Sequence, residues 1–314
     1  MTQLALQEMP AILPELSELP ATEQPDLTVV LPVYNEETAI ATVIEPLLEL
    51  LGRQLALSFE IIVVDDGSSD QSAARVMEMD HPQVLLHQHP YNIGNGAAIK
   101  TGIRRARGRY ILMMDADGQH RVADIPRLLE QAGRYDMVVG ARTRDSQTAF
   151  HRDLANGVYN LFASYVCGRP IADLTSGFRL IKASLARELV YLLPNTFSYP
   201  TTLTLAVIRA GYSLKYVPIT VRRRVGRSKI NPWVDGLRFL TILLRIAVFF
   251  SPLKVFVPIS LSFFGLGFGW YLYRVFVVHT RFPPVSSLLM ITSVLIFLIG
   301  LVSEQITYLR YERR

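Results

Sequence analysis

Tyr110-Ile111-Leu112-Met113-Met114-Asp115-Ala116-Asp117-Gly118-Gln119-His120 passes from an apolar run straight into two carboxylates one residue apart. Such a run reads as a buried strand, and the acids as what stands at its carboxyl end. Side chains alternate along a strand, so Asp115 and Asp117 share a face if the extended geometry carries across Ala116, and Gly118 then lets the backbone turn. Two carboxylates with the amide oxygen of Gln119 suit Mg²⁺ or Mn²⁺, hard ions that keep open positions for phosphate oxygens and water. Taken alone, an Asp-x-Asp is more readily an acidic loop that binds nothing. The segments on either side decide between the two.

Upstream, Leu27 to Val33 is a continuous apolar, β-branched run ending at Tyr34-Asn35-Glu36-Glu37, and Thr38 to Leu51 then takes helical spacing. Phe59 to Val64 repeats the form and ends at Asp65-Asp66-Gly67-Ser68-Ser69-Asp70 before another helical stretch. Strands that are apolar throughout are buried on both faces, and their alternation with helices predicts an α/β fold with a mostly parallel sheet. Ligands of such sheets bind beyond the carboxyl ends of the strands, where all three polar clusters fall. Asp66 can accept hydrogen bonds from the imide or amide edge of a base, while Gly67 to Asp70 supply a tight turn and helix caps. Tyr91-Asn92-Ile93-Gly94-Asn95-Gly96 opens a helix through Arg107. Its backbone N–H groups can face an anion, although it lacks the Lys-Ser/Thr of a P-loop and close packing explains its glycines equally well. Val138 to Arg144 reads as a fourth strand ending in bases, followed by His151-Arg152-Asp153 and a helix through about Cys167.

The 314 residues exceed the usual single-domain size and carry a net charge of +5, with a pI near 9.3. The charges are segregated. Residues 1–26 contain five acids and no Lys or Arg, whereas Val221 to Lys254 contains eight bases against the single acid Asp235. A basic segment of this kind points to an anionic membrane or to nucleic acid. Residues 1–26, proline-rich and without the basic start and apolar centre of a secretory signal, read as a mobile tail with no cleaved leader. The lone Cys167 excludes an intramolecular disulfide and is expected to be buried.

The C-terminal third decides the partner. Arg222 to Lys229 is a cationic run, and Asn231 to Phe250 is amphipathic, as interfacial helices are. Val255 to Tyr273 and Pro283 to Ser303 carry no charge, and each is long enough to cross a bilayer. Trp270, Tyr271 and Tyr273 sit near one end, and bases are heavier before the first span and after the second, which places both ends on the cytoplasmic side. Membrane displaces nucleic acid as the partner.

Together the motifs resemble family 2 glycosyltransferases of GT-A fold, and within them the polyprenyl-phosphate group of dolichol-phosphate mannose synthase and bactoprenol glucosyltransferases. The resemblance rests on Pro32-Val33-Tyr34-Asn35-Glu36, Val63 to Asp70, Asn92-x-Gly94-x-Gly96, Asp115 to His120, Thr175-Ser176-Gly177-Phe178-Arg179 and Arg223-x-x-Gly226-x-Ser228-Lys229. Asn95 departs from it, since many relatives have Lys there. By the resemblance, Pro32, Tyr34, Glu36 and Asp66 hold the nucleoside, Arg142 lies near the donor diphosphate, and Asp115, Asp117 and Gln119 hold the divalent metal. Arg152, Arg223, Ser228 and Lys229 surround the acceptor phosphate. Asp173 stands where a base would be sought for a hydroxyl acceptor; here it orients its loop or positions Arg179.

The expected organisation is a tail (1–26), a GT-A domain (27–230), juxtamembrane amphipathic helices (231–252), two transmembrane helices (253–309) and a short cytoplasmic tail (310–314). The expected activity is metal-dependent, inverting transfer of a hexose from a nucleotide sugar, UDP-glucose first, to polyprenyl phosphate on the cytoplasmic face. GDP-mannose or another donor, a lipid hydroxyl acceptor, and a membrane scaffold that binds nucleotide sugar without turnover are the alternatives, and self-association into a homo-oligomer is left open.

Overall fold

A computed structural model describes residues 24–143, 150–195, 199–221, 248, 250–279 and 283–312. The expected tail up to residue 23, the run carrying Arg223, Ser228 and Lys229, and nearly all of the expected juxtamembrane helices lie outside them. The chain divides into two compact units, the first reaching Val158 and resuming from Ala172 to Arg227, the second formed by Tyr159–Ile171 with Ser228 onward.

The first unit is a seven-stranded sheet with helices. Its elements are β1 (Leu27–Val33), α1 (Ile40–Leu48), β2 (Phe59–Asp65), α2 (Ser72–Glu78), β3 (Val84–Gln88), α3 (Asn95–Arg105) and β4 (Tyr110–Met113). There follow α4 (Ile125–Leu129), β5 (Met137–Arg142), α5 (Phe150–Cys167), β6 (Arg179–Lys182), α6 (Ala183–Leu189), α7 (Tyr199–Arg209) and β7 (Leu214–Ile219). The strand order is β3-β2-β1-β4-β6-β5-β7, and β6 alone runs antiparallel to its neighbours. The mostly parallel α/β sheet expected from the sequence is therefore present.

The apolar runs dictate its centre. Every residue of β1 except Pro32 is buried, as are all of β2 and β4. Pro32 has no N–H to give, and it is tolerated in this central strand because β4 pairs with β1 only as far as Val30. β4 stops at Met113, with Met114 N still donating to Val30 O (3.2 Å), and the chain leaves the sheet there, at the place where successive connections leave β1 in opposite directions. That is the switch point at which such sheets bind ligands.

Three strands escape the apolar-run criterion for physical reasons. β3 and β7 are edges, half-buried and interrupted by His87, Lys215 and Pro218. β6 is four residues long and starts with a wholly buried arginine. The helix expected to reach Arg107 ends at Arg105, because the Arg107 N–H goes to Glu60 Oε1 (2.7 Å) and its Nε to Oε2 (2.8 Å). Buried Glu60 also accepts from Thr28 Oγ1 (2.7 Å), which satisfies an acid that would otherwise be costly in the sheet interior.

At the opposite corner, Asp136 joins the starts of β5 and β7 to the end of β6. It accepts from Ser213 N (2.8 Å), Ser213 Oγ (2.7 Å) and Lys182 Nζ (2.8 Å). Burial opposes its ionisation, but these donors and the Lys182 charge outweigh burial and hold its pKa at about 2. A depressed folded pKa gives stability that is complete above the ordinary carboxylate value and lost as pH falls through about 2. With Lys182 40% exposed, solvent screening leaves roughly 1–2 kcal/mol. Asp136→Asn should lower unfolding stability in detergent by that amount at pH 7, and the deficit should shrink on acidification; an equal deficit at pH 2.5 and pH 7 would contradict the assignment.

The second unit contains the C-terminal part of α5, α8 (Pro252–Phe276) and α9 (Pro284–Glu312). Residues 159–171, within the 27–230 span expected for the GT-A domain, are grouped with this second unit. Lys254 Nζ donates to the terminal carbonyls of Tyr165 (2.9 Å) and Val166 (2.8 Å), so a cation on α8 caps the end of α5. Cys167 beside that cap is half-buried rather than buried. α8 and α9 pack through small residues: Ser260 Oγ donates to Ser293 O (3.0 Å), and an added Cβ at Gly300 would lie 2.7 Å from Phe256 Cβ. Their outer faces are apolar and open, Leu266 and Leu288 among them. Each exceeds the roughly 20 residues needed to cross a hydrocarbon layer, so the expected two-helix hairpin is formed and is read as a membrane anchor.

Candidate functional site

The ends of β1, β2 and β4, with the approach to α3, enclose a cleft of about 490 Å³. Pro32, Tyr34 and Glu36 enter it from the β1 end, Asp66 from the β2 end, Asn92 to Asn95 from the approach to α3, and Asp115 and Asp117 from the β4 end. All the expected nucleoside contacts and both expected metal-binding aspartates thus meet in one space. Gln119 is not among the residues that wall it; its backbone N–H donates to Asp117 Oδ1 (3.1 Å).

The β1 and β2 ends are clipped together. Asn35, at φ +57°, donates its N–H to Ser68 Oγ (2.9 Å) and accepts from Ser69 N (2.8 Å). Glu36 N donates to Ser72 Oγ (2.8 Å), which in turn donates to Asp70 Oδ1 (2.6 Å). Ser68, Ser69 and Asp70 therefore do more than turn and cap: they fix the loop that presents Tyr34 and Glu36. Gly67 makes this possible, since its φ is +72° and a Cβ there would fall 2.6 Å from the Tyr91 carbonyl carbon.

Asp66 is buried and engaged on both oxygens. Oδ1 accepts from Ile93 N (3.1 Å) and His89 Nδ1 (2.7 Å), and Oδ2 from Gly94 N (2.7 Å). His89 was not legible in the sequence, because it follows the unrecognised edge strand β3; its Nε2 lies 2.9 Å from Thr101 Oγ1 on α3.

Asp115 is hemmed in by protein on all sides but the cleft, where its side chain keeps 35% exposure. Burial would raise its pKa, but the neighbouring His120 ring and the Arg142 and Arg179 guanidiniums outweigh burial and keep it ionised. Gly177 lies so close that a Cβ would sit 2.7 Å from Asp115 Oδ2. Glycine there is what lets the 175–179 segment pass under the carboxylate. His120 approaches Asp115 Oδ2 through Nε2 (3.7 Å) and stacks on Phe178 at 5.1 Å between centroids, while its buried Nδ1 has no partner among the described residues.

The 173–179 segment is held from behind. Asp173 takes Arg142 in a bidentate pair (Nε–Oδ2 2.8 Å, Nη2–Oδ1 2.9 Å) and accepts from Thr175 N and Ser176 N, each 3.1 Å. Arg142 Nη2 also donates to Thr175 Oγ1. Burial works against the Asp173 charge, but Arg142 and these amides keep its pKa below the ordinary carboxylate value. Arg179, wholly buried, donates to Ser176 O (2.6 Å), Pro200 O (2.6 Å), Thr204 Oγ1 (2.7 Å) and Leu174 O (3.1 Å). Asp173 thus makes its direct pair with Arg142 rather than with Arg179, and neither Arg142 nor Asp173 walls the cleft. For Arg152 only the helical backbone of α5 is described; Arg223, Ser228 and Lys229 lie outside the described residues.

Two carboxylates on one wall, with space facing them, fit a divalent ion of the open kind, completed by ligand oxygens rather than by an all-protein cage. Among the described residues no three His, Cys, Asp or Glu side chains gather into such a cage.

Comparison with known proteins gives the following. The profile described as glycosyl transferase family 2 matches residues 28–190, and one described as GtrB C-terminal hairpin matches residues 251–309. An undecaprenyl-phosphate 4-deoxy-4-formamido-L-arabinose transferase of Pectobacterium carotovorum is 34% identical over 191 residues, 56% of this chain and 57% of that protein. A dolichyl-phosphate beta-glucosyltransferase of Dictyostelium discoideum is 31% identical over 52% of this chain and 56% of its own length. The chain therefore spans little more than half of these two relatives. A dolichyl-phosphate beta-glucosyltransferase of Trichomonas vaginalis is 31% identical over 70% of this chain and 72% of its own. Among solved structures, the glucosyl-3-phosphoglycerate synthase of Mycobacterium tuberculosis, crystallised with Mn²⁺ and UDP-glucose, superposes with a TM-score of 0.55 at 20% identity, covering 71% of this chain and 79% of that one. At that identity the likeness is one of fold.

Proposed function

The chain belongs to glycosyl transferase family 2, and from that premise we propose that it transfers a hexose from a nucleotide sugar to polyprenyl phosphate at the cytoplasmic face of a membrane, with inversion. The observation that carries this reading is the cleft, where Asp66 and the Tyr34 to Glu36 loop stand at one end and Asp115 and Asp117 at the other. A nucleoside needs hydrogen-bond acceptors and an aromatic face; a diphosphate needs its charge offset. UDP-glucose is the preferred donor, supported by relatives described as dolichyl-phosphate beta-glucosyltransferases. The apolar hairpin supports a lipid-borne acceptor.

Asp115 and Asp117 would hold Mg²⁺ or Mn²⁺, which when bound supplies Lewis-acid charge for the departing nucleoside diphosphate. The chain's own residues do the rest: Asp66 orients the base, the clipped 34–37 loop walls the nucleoside, and the Asp173–Arg142 pair holds the segment under Asp115. A screen of nucleotide sugars for radiolabel transfer to purified polyprenyl phosphate tests the reading. Absence of transfer from every donor, with folded protein, overturns it.

Arg152, Arg223, Ser228 and Lys229 are proposed as the acceptor-phosphate contacts, since Arg grips phosphate oxygens as a bidentate fork and Lys adds a point charge. Arg152→Ala or Arg223→Ala should each raise the polyprenyl-phosphate requirement about ten- to a hundredfold. An unchanged acceptor dependence in both variants would move the acceptor site elsewhere. With both ends cytoplasmic, the α8–α9 turn faces the other side, so Val278→Cys in a Cys167→Ser background should react with an impermeant maleimide from outside only. Reaction from the cytoplasmic face would reverse the topology.

A further inference from the structure

We infer that His89 is a positioning residue that makes the base end of the cleft selective for a uracil-type base, with one N–H to give, over a guanine-type base with two. The inference rests on the proposed use of the cleft for a nucleotide sugar, and goes beyond it by assigning a residue and an atom. A carboxylate offers about four acceptor sites, two on each oxygen. In Asp66 both sites on Oδ1 are taken, one by Ile93 N (3.1 Å) and one by His89 Nδ1 (2.7 Å). A carboxylate only accepts here, so Nδ1 carries the proton. Oδ2 receives Gly94 N (2.7 Å) and, among the described residues, keeps one site, and Asp66 stands on the cleft wall.

One free site accepts one donor. The imide edge of uracil presents a single N–H between two carbonyls and matches it. The corresponding edge of guanine presents N1–H and an N2 amine side by side, which need both carboxylate oxygens. With Oδ1 filled, the second guanine donor is left unpaired in a desolvated site, and sites of this kind discriminate strongly against the ligand whose polar group goes unmatched. His89 can impose this because it does not move: its ring is 7% exposed, its backbone N–H donates to Asp65 O (2.8 Å), and its Nε2 rests 2.9 Å from Thr101 Oγ1. Ile93 and Gly94 donate from the backbone, so only a proline would remove them. Among the described residues, His89 is the side chain that sets how many sites remain.

The test is calorimetric binding of UDP and of GDP, each with Mg²⁺, to the full chain in detergent. The wild type should favour UDP about ten- to a hundredfold. His89→Leu empties one Oδ1 site and should narrow that ratio to within about threefold, raising the donor KM more than it lowers kcat. His89→Asn, whose amide can still donate, should restore most of the ratio, which a merely structural role would not predict. Should His89→Leu fail to fold, His89→Phe, which keeps a ring of similar size but has no donor for Asp66 Oδ1, is read the same way. An unchanged UDP-to-GDP ratio in folded variants, or a wild type that prefers GDP, overturns the inference and leaves the proposed transfer standing. Binding of neither nucleotide by the wild type defeats the proposed function itself.

Discussion

Asp117→Asn should lower sugar transfer about a hundred- to a thousandfold while leaving the protein folded, an effect of the size seen when one preorganised electrostatic contact to a reacting group is lost. The substitution is chosen for what it preserves. Asp117 Oδ1 accepts the Gln119 N–H at 3.1 Å, and an asparagine keeps an oxygen able to accept the same bond, so the turn at Gly118 survives. What disappears is one negative charge on the cleft wall. Asp115 is a less clean probe, because its charge is balanced against His120, Arg142 and Arg179 and its carboxylate fills the gap over Gly177; removing it would disturb all of them. Calorimetric titration of Mn²⁺ in the presence of UDP supplies a readout independent of turnover, and the variant should bind the ion at least tenfold more weakly. Substantial wild-type activity in excess EDTA would sink the assignment.

How much of this site could be read from the sequence depended on where each residue gets its environment. Asp66, Asp115 and Asp117 were legible because each follows a strand buried on both faces, and strands of that kind announce themselves as unbroken apolar runs. Pro32, Tyr34 and Glu36 were located by the same logic at the end of β1. The packing around them was not legible. His89 follows β3, an edge strand whose half-exposed pattern gives no clear period, so nothing in the sequence marks it as a partner of Asp66. The bidentate pairing of Asp173 with Arg142 depends on β6 inserting antiparallel between β4 and β5, and a four-residue strand led by a buried arginine carries no apolar signature. The same insertion brings Gly177 against Asp115, a contact between residues more than sixty positions apart. The hairpin was legible for the opposite reason: its outer faces are apolar and open, so composition and length suffice without any knowledge of packing.

Asp173→Asn should reduce kcat/KM about a hundredfold yet leave the acidic limb of the pH–rate profile where it is in the wild type. The loss follows from geometry. Asp173 gathers Arg142, Thr175 N and Ser176 N, and the segment it anchors runs beneath Asp115 at Gly177; misplacing a supporting segment by about 1 Å can cost that much in rate. The constancy of the limb follows from charge. The Arg142 guanidinium overcomes the burial penalty and holds Asp173 below the ordinary carboxylate range, so across the working pH it is already ionised and contributes no titration step. A depressed pKa also makes it a poor acceptor for a proton, and its lone pairs are already committed to the arginine and two amides. The proposed chemistry does not need it as a base. A sugar hydroxyl attacking an anomeric carbon must lose a proton, but a phosphate monoester has a second pKa near 6 and is largely a dianion at pH 7. The attacking oxygen is then its own nucleophile, one in-line displacement inverts the anomeric centre, and the protein's contribution is alignment and charge compensation. The acidic limb should therefore belong to the acceptor. Replacing polyprenyl phosphate with a phosphonate of higher second pKa should move the limb upward by the same amount in wild type and in Asp173→Asn; a limb that ignores the acceptor's pKa and vanishes in the variant would return the role of base to Asp173.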